Sequence, residues 1–248
     1  MCYHKSQKFD VDYLADYYSA SYDEVMKEVY EPNFHENGFD FKATPLVTTG
    51  QPAALRLFNW GLIPYWVKDL PSALKLRIST LNCISEEMFD KPSFRDAARE
   101  GKRCLIPCSG FYEWRWLNPE DKKSKKFPYF IQLSKQPLFS IGGLYAKWTD
   151  RSSGEAHYTY TVLTTRANGL MEKIHNSKQR MPVIIPREYE KDWLNPNLSK
   201  EDVLALCQPV ADGQMHAYTI SKRITSKTEE TNVPEVQQEE LYPELSSD

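Results

Sequence analysis

No apolar run in these 248 residues approaches the ~20 residues that a membrane-spanning helix needs. The first nine residues carry Lys5 and Lys8 but no apolar core segment, so no secretory signal is expected. Cysteine is scarce, and its count is odd: Cys2, Cys83, Cys104, Cys108 and Cys207. Their irregular spacing argues against a disulfide framework, and reduced thiols in a cytoplasmic compartment are expected. Cys104 and Cys108 have no matching second pair, and His4, His35, His157 and His216 show no ligand spacing, so no metal or other cofactor is expected. A glycine-rich phosphate loop, a Gly-x-Ser-x-Gly elbow and any internal repeat are also missing.

Apolar residues make up 41% of the chain, and 11 Phe, 15 Tyr and 6 Trp can fill a core, which excludes disorder over the whole length. The net charge of -3 is unevenly spread. Residues 225–248 carry seven acids (Glu229, Glu230, Glu235, Glu239, Glu240, Glu244, Asp248) and one base, Lys227, so residues 1–224 keep 30 bases against 27 acids. A mildly basic body with an acidic tail permits a nucleic-acid partner without requiring one. A domain over 1–224 and a tail over 225–248, disordered or loosely docked, are expected.

Asp10 to Tyr30 reads as one kinked helix or two short ones, and Glu31 to Asn37 has turn composition. Strands are expected at Leu46–Thr49, Ala54–Trp60, Arg103–Ile106, Gly110–Trp116, Phe127–Leu133, Leu138–Tyr145, Tyr158–Val162, Pro182–Ile185 and Met215–Ile220. Leu76 and Ile78 alternate with Arg77 and Ser79, which predicts a further strand leading into Asn82. Trp60 to Trp66 is too rich in Gly, Pro and aromatics for a helix. Short helices are expected from Pro92 to Gly101, over Ala167–Ile174, from Pro186 to Trp193 and from a Ser199 capping box to Cys207. Together these give an α+β domain with a largely antiparallel, barrel-like sheet.

Met1-Cys2 is the first chemical candidate. Removal of Met1 would leave an α-amine and a thiol on adjacent carbons, a pair that can attack one aldehyde twice and close a thiazolidine. In Gly110-Phe111-Tyr112-Glu113-Trp114, period 2 puts Phe111, Glu113 and Arg115 on one face. If that face is buried, desolvation raises the pKa of Glu113 toward neutrality; an exposed Glu113 paired with Arg115 is the competing reading. Asn82 can stabilise an oxyanion, hold a sugar hydroxyl or simply form a turn. His175, where a short helix gives way to loop, is either a proton shuttle or a structural residue. Trp60, Tyr65 and Trp66 offer flat faces near Lys68, Lys75 and Arg77, as single-strand stacking requires, with core packing favoured for Trp60.

With Cys2, Asn82, Gly110–Trp114 and His175-(x4)-Arg180-Met181-Pro182 in order, the chain resembles the SRAP family of abasic-site processing proteins. Trp60-Gly61-Leu62-Ile63-Pro64 and Lys91-Pro92-Ser93-Phe94-Arg95 extend the match. The resemblance implies autoproteolytic loss of Met1 and a thiazolidine crosslink between Cys2 and the ring-opened aldehyde of an abasic site. It implies that Asn82 holds the opened sugar or the Cys2 amine, that Glu113 transfers protons, and that His175 assists sugar opening and reversal. Trp66 and Val67 take the position of an apolar wedge at a junction of single- and double-stranded DNA. Tyr3-His4 and Cys83-Ile84 stand where the family usually has Gly-Arg and Ala-Arg, so either weaker DNA binding or compensation by Lys75, Arg77 and Arg180 is expected. A monomer acting on single-stranded DNA is expected, nucleoid-associated if the source is bacterial. Two other readings compete: an N-terminal-nucleophile amidohydrolase, disfavoured by Tyr3, and a single-stranded DNA-binding module without catalysis.

Overall fold

The computed structural model describes residues 1–245; the last three residues of the expected tail, 246–248, lie outside the described residues. Among these the strands are β1 (His4–Gln7), β2 (Asn33–Asn37), β3 (Ala43–Thr48), β4 (Gln51–Trp60), β5 (Asn82–Ile84), β6 (Arg103–Cys108), β7 (Gly110–Trp116), β8 (Lys126–Leu133), β9 (Phe139–Thr149), β10 (Ala156–Arg166), β11 (Arg180–Pro182), β12 (Ile184–Ile185) and β13 (Met215–Thr219). The helices are short: α1 (Val11–Tyr18), α2 (Val25–Val29), α3 (Leu70–Arg77), α4 (Arg95–Arg99), α5 (Gly169–Ile174), α6 (Glu190–Trp193) and α7 (Lys200–Leu206).

Five strands, β10-β4-β3-β6-β9, close on themselves through β9–β10 pairing and form a barrel. Only the β10–β4 contact within that ring is parallel. The second sheet, β13-β8-β7-β1-β2, is antiparallel throughout. The α+β, largely antiparallel and barrel-like fold read from the sequence is therefore the fold observed.

β6 passes into β7 across Ser109 alone, so one nearly continuous segment joins barrel and sheet. Gly110 sits at that crossing because a Cβ there would lie 2.3 Å from Phe130 Cζ. The main core lies between the two layers, where Cys2, Phe111, Ile131, Val162, Met171 and Ile174 pack together. The N-terminal strand is thus an interior element, hydrogen-bonded on both edges, to β2 and β7.

Three sequence expectations are corrected. Leu76–Ser79 is not a strand: Asp69 caps α3 by accepting from Ser72 N at 2.8 Å, Pro71 suits the first turn, and the helix runs through Arg77. A four-residue alternation is too short to outweigh a capped start. Residues 33–37, read as turn, are β2, because pairing with β1 overrides a weak local preference. Pro182–Ile185 splits, with β11 pairing β10 and β12 pairing β9.

The segment 10–30 forms two helices, the first ended by Ser19 in the left-handed region at φ 52°. Residues 226–245 pack on the body. Val236 is buried with Tyr112, Phe130, Ile220 and Ile224. Asn232 Oδ1 accepts from Phe34 N, and Gln237 Nε2 donates to Ser6 Oγ and Tyr112 Oη.

Candidate active site

β7 contributes the carboxylate. Its alternation turns Phe111 and Glu113 toward the core that holds Cys2, and Tyr112 and Trp114 toward the outer face. Glu113 is 4% exposed, and burial pushes its pKa up to about 7 against the pull of the nearby Met1 ammonium. Its Oε1 accepts no hydrogen bond; the Met1 ammonium stands 3.8 Å away.

α5 supplies the imidazole. Asn168 starts the helix by accepting from Met171 N, and His175 ends it. Gln179, left-handed at φ 52°, turns the chain back so that the Arg180 carbonyl accepts from His175 Nδ1 at 2.8 Å. That bond fixes the tautomer and leaves the Nε2 lone pair facing the Met1 amine at 3.2 Å. Burial, with the Met1 ammonium adding to it, holds the His175 pKa down at about 4. His175 is therefore neutral near pH 7, and its 3.6 Å approach to Glu113 is a polar contact rather than an ion pair.

Asn176 locks this loop onto β7: its Oδ1 accepts from Trp116 N and its Nδ2 donates to Trp116 O. Neither this clamp nor the Arg180 carbonyl was found from the sequence. An amide following the candidate histidine is a hint, but its partner lies 60 positions away.

Cys2 lies between these groups with no exposed surface, its Sγ directed to the His4 carbonyl at 3.6 Å. Burial raises the thiol pKa well above its ordinary value, and the Glu113 carboxylate raises it further. All five cysteines are free thiols.

Asn82 opens β5 in register with Val162, whose side chain belongs to the core around Cys2, so the amide faces the same interior. It is 8% exposed, and both of its amide atoms lack partners, an unusual state for buried polar groups. It makes no hydrogen bond to Cys2, Glu113 or His175.

The expected DNA-binding set divides. Tyr65 and Trp66 are 65% and 42% exposed, and on α3 and its cap Leu74 and Ile78 add exposed apolar surface beside the exposed Lys75. Val67 does not belong to that surface. It is buried against Ile63, Ala73 and Trp148, whose indole donates to its carbonyl at 2.8 Å. A valine next to an exposed tryptophan alternates inward, so the wedge rests on Trp66 without it.

Arg77 is half-buried, donates to the Trp60 carbonyl and stacks on Phe41. Arg180 makes a two-point contact with Glu86 at 2.9 and 2.7 Å and also donates to Thr164 O. Both guanidiniums thus hold partners within the chain in this structure.

No group of three or more His, Cys, Asp and Glu able to hold a metal occurs among the described residues, and no described helix is long and apolar enough to cross a membrane.

The model of the SOS response associated peptidase (SRAP) family matches residues 1–227. Abasic site processing protein YoqW of Bacillus subtilis (strain 168) is 40% identical over 192 residues, 77% of this chain and 79% of YoqW. Abasic site processing protein HMCES of Xenopus tropicalis is 32% identical over 178 residues, 65% of this chain and 51% of that protein. A crystal structure of a protein from Bacteroides thetaiotaomicron superposes with a TM-score of 0.88 at 36% identity, covering 97% of this chain and all of that one.

Proposed function

The chain belongs to the SOS response associated peptidase (SRAP) family, and we propose that it processes abasic sites in single-stranded DNA by forming a covalent crosslink through Cys2 once Met1 has been removed. One observation carries the reading: the Met1 amine, the Glu113 carboxyl and the His175 imidazole lie 3.2–3.8 Å from one another, and the buried Cys2 thiol is near enough to feel the Glu113 charge.

Loss of Met1 is the first step. While Met1 is attached, the nitrogen of Cys2 is an amide with no free lone pair, and the thiol is sealed from solvent. The Met1 amine stands roughly 2.5 Å from its own carbonyl carbon by covalent geometry. Glu113 and His175, which flank that amine, are therefore beside the Met1–Cys2 bond, in support of cleavage within this same site.

The Cys2 amine then attacks the ring-opened aldehyde. His175 Nε2 accepts a hydrogen bond from the amine and orients it. Glu113, half protonated near pH 7, gives its proton to the carbinolamine oxygen, which leaves as water. Loss of water leaves an iminium whose nitrogen keeps one of the amine hydrogens. The Glu113 carboxylate takes the proton of the Cys2 thiol as sulfur adds to the iminium carbon, which leaves a neutral ring N–H and restores the Glu113 acid. Glu113 thus alternates as acid and base within one turnover.

Asn82 contributes two unpaired amide groups suited to the opened sugar's hydroxyls. Trp66 and Tyr65 would stack on bases beside the lesion, with Lys75 near the backbone. Running the same steps backward releases the intact abasic strand, with His175 assisting; lyase activity would be a separate β-elimination of the 3' phosphate from the same iminium.

The test is a denaturing gel. An oligonucleotide with one abasic site should give a shifted band of mass protein plus DNA less one water, after intact mass shows the N-terminus to begin at Cys2. Cys2→Ala should give none. A band of equal yield from Cys2→Ala would refute attachment through the Cys2 thiol, and glutamine hydrolysis without a band would favour the amidohydrolase.

A further inference from the structure

Residues 238–245 lie along the end of the edge strand β13, which β8 separates from β7. Glu239 bridges to Ile220, Glu240 N donates to Thr219 O, and Tyr242 Oη donates to Ile220 O at 2.8 Å. Beyond this edge, the Tyr242 ring packs 5.0 Å from the ring of Phe127, and Lys222 Nζ stands 5.3 Å from each ring centroid. Glu244 pairs with Lys125 at 3.1 Å. An aromatic ring on Phe127 and an anion on Lys125 are the contacts a nucleotide would make through its base and its phosphate.

Sheet register relates this spot to the catalytic carboxyl. Tyr129 pairs with Glu113, and Phe127 pairs with Arg115. Phe127 and Glu113 therefore emerge on the same face as diagonal neighbours, about 7–8 Å apart. The ring that Tyr242 covers is one step along the sheet from Glu113, and it has no exposed surface while covered. The arm lies beyond residue 227, where the family match ends. Residues 238–245 contain three acids, Glu239, Glu240 and Glu244, and no base.

We propose that Phe127, Lys125 and Lys222 form the binding position for the nucleotide next to the lesion, and that Tyr242 and Glu244 occupy it in the free protein until a DNA strand displaces them. This rests on the reading of single-stranded DNA as substrate. The arm then acts as a competitor in cis. It weakens binding of undamaged strands, and a strand held by attack at Cys2 overcomes it.

The experiment uses the full chain and an undamaged, fluorescently labelled single-stranded oligonucleotide, with affinity read by anisotropy across a salt series. E239Q/E240Q/E244Q retains Tyr242 and Val236 packing and should bind at least threefold more tightly than wild type, with a salt slope steeper by roughly 0.7 as Lys125 is freed from Glu244. Adding K125A/K222A should cancel that gain. E24Q/E28Q/E31Q makes the same charge change around α2 and should gain less than half as much.

The proposal is overturned if the arm variant binds no more tightly than wild type, if the α2 variant gains equally, or if K125A/K222A leaves the gain intact. Crosslinking of an abasic oligonucleotide is scored separately. A missing crosslink with the affinity pattern intact removes the covalent reading and keeps this one; the converse removes only this one.

Discussion

Replacing Glu113 by Gln should stabilise the protein, increasingly so as pH rises, while slowing the reaction. The carboxyl is held at about 7 in the folded chain against an ordinary value of 4.5. The folded state therefore keeps this proton over a window where the unfolded state has released it, and stability falls as pH rises from about 4.5 to 7. The full difference is 2.5 pH units (7 less 4.5), worth about 3 kcal/mol at 1.36 kcal/mol per unit. Below pH 4.5 the group is neutral in both states and the loss vanishes.

The Glu113→Gln change puts a neutral amide of the same shape in place of the carboxyl, and that amide does not titrate. The variant's advantage in urea unfolding should thus be under ~0.5 kcal/mol at pH 4.5 and approach ~3 kcal/mol by pH 8. All other carboxylates are common to both proteins and cancel in the difference. Crosslinking by Glu113→Gln should fall more than about tenfold, since general acid–base transfer contributes ~10²–10⁴. A stability difference that stays flat with pH would refute the claim that desolvation sets this pKa, and an unchanged crosslinking rate would remove Glu113 from the chemistry.

Asn82→Ala should change unfolding free energy by less than ~1 kcal/mol, because no hydrogen bond is lost, yet reduce crosslinking more than about tenfold; a large stability loss with normal crosslinking would make Asn82 purely structural. Trp66→Ala should weaken binding of undamaged single-stranded DNA by ~1–3 kcal/mol in an anisotropy titration, and unaltered affinity would exclude it as a stacking platform. Lys5 and Glu36 form a fully buried ion pair at 2.5 Å, joined by Thr44 and, through it, Tyr160. Lys5→Met should cost about 3–5 kcal/mol in urea unfolding by stranding the carboxylate, and K5M/E36L should recover more than half of that; equal losses would show that packing, not unpaired charge, is responsible.

The strand reading of Gly110–Trp116 succeeded because a half-buried strand records its two faces at period 2, and Phe111, Glu113 and Tyr112 obey it. The same rule failed at Leu76–Ser79, where four residues cannot separate a strand from the end of a capped helix. β2 was missed because its preference for extended structure comes from the N-terminal strand it pairs with. Val67, Arg77 and Arg180 show what residue type leaves open. Residue type suggested a wedge and open cations, yet burial against Trp148, the Trp60 carbonyl and Glu86 was decided by segments distant in sequence. The arm at 238–245 read as either disordered or loosely docked, and its docking place was not legible because its partners Lys125, Phe127 and Lys222 lie elsewhere in the chain.

The sequence by itself determined which groups are available: a thiol on the carbon next to that of a prospective α-amine, a carboxyl in an aromatic strand, an imidazole at a helix end and a tryptophan in a Gly- and Pro-rich loop. It also determined most of the strands, since alternation and β-branched or aromatic content are local properties. Only the tertiary structure decided that the N-terminal amine meets a histidine 174 positions away, that Glu113 is dry enough to titrate near 7, and that the Arg180 carbonyl leaves Nε2 of His175 as the acceptor. Those are effects of burial and of distance, and both are set by which parts of the chain close over a group rather than by the group's neighbours along it.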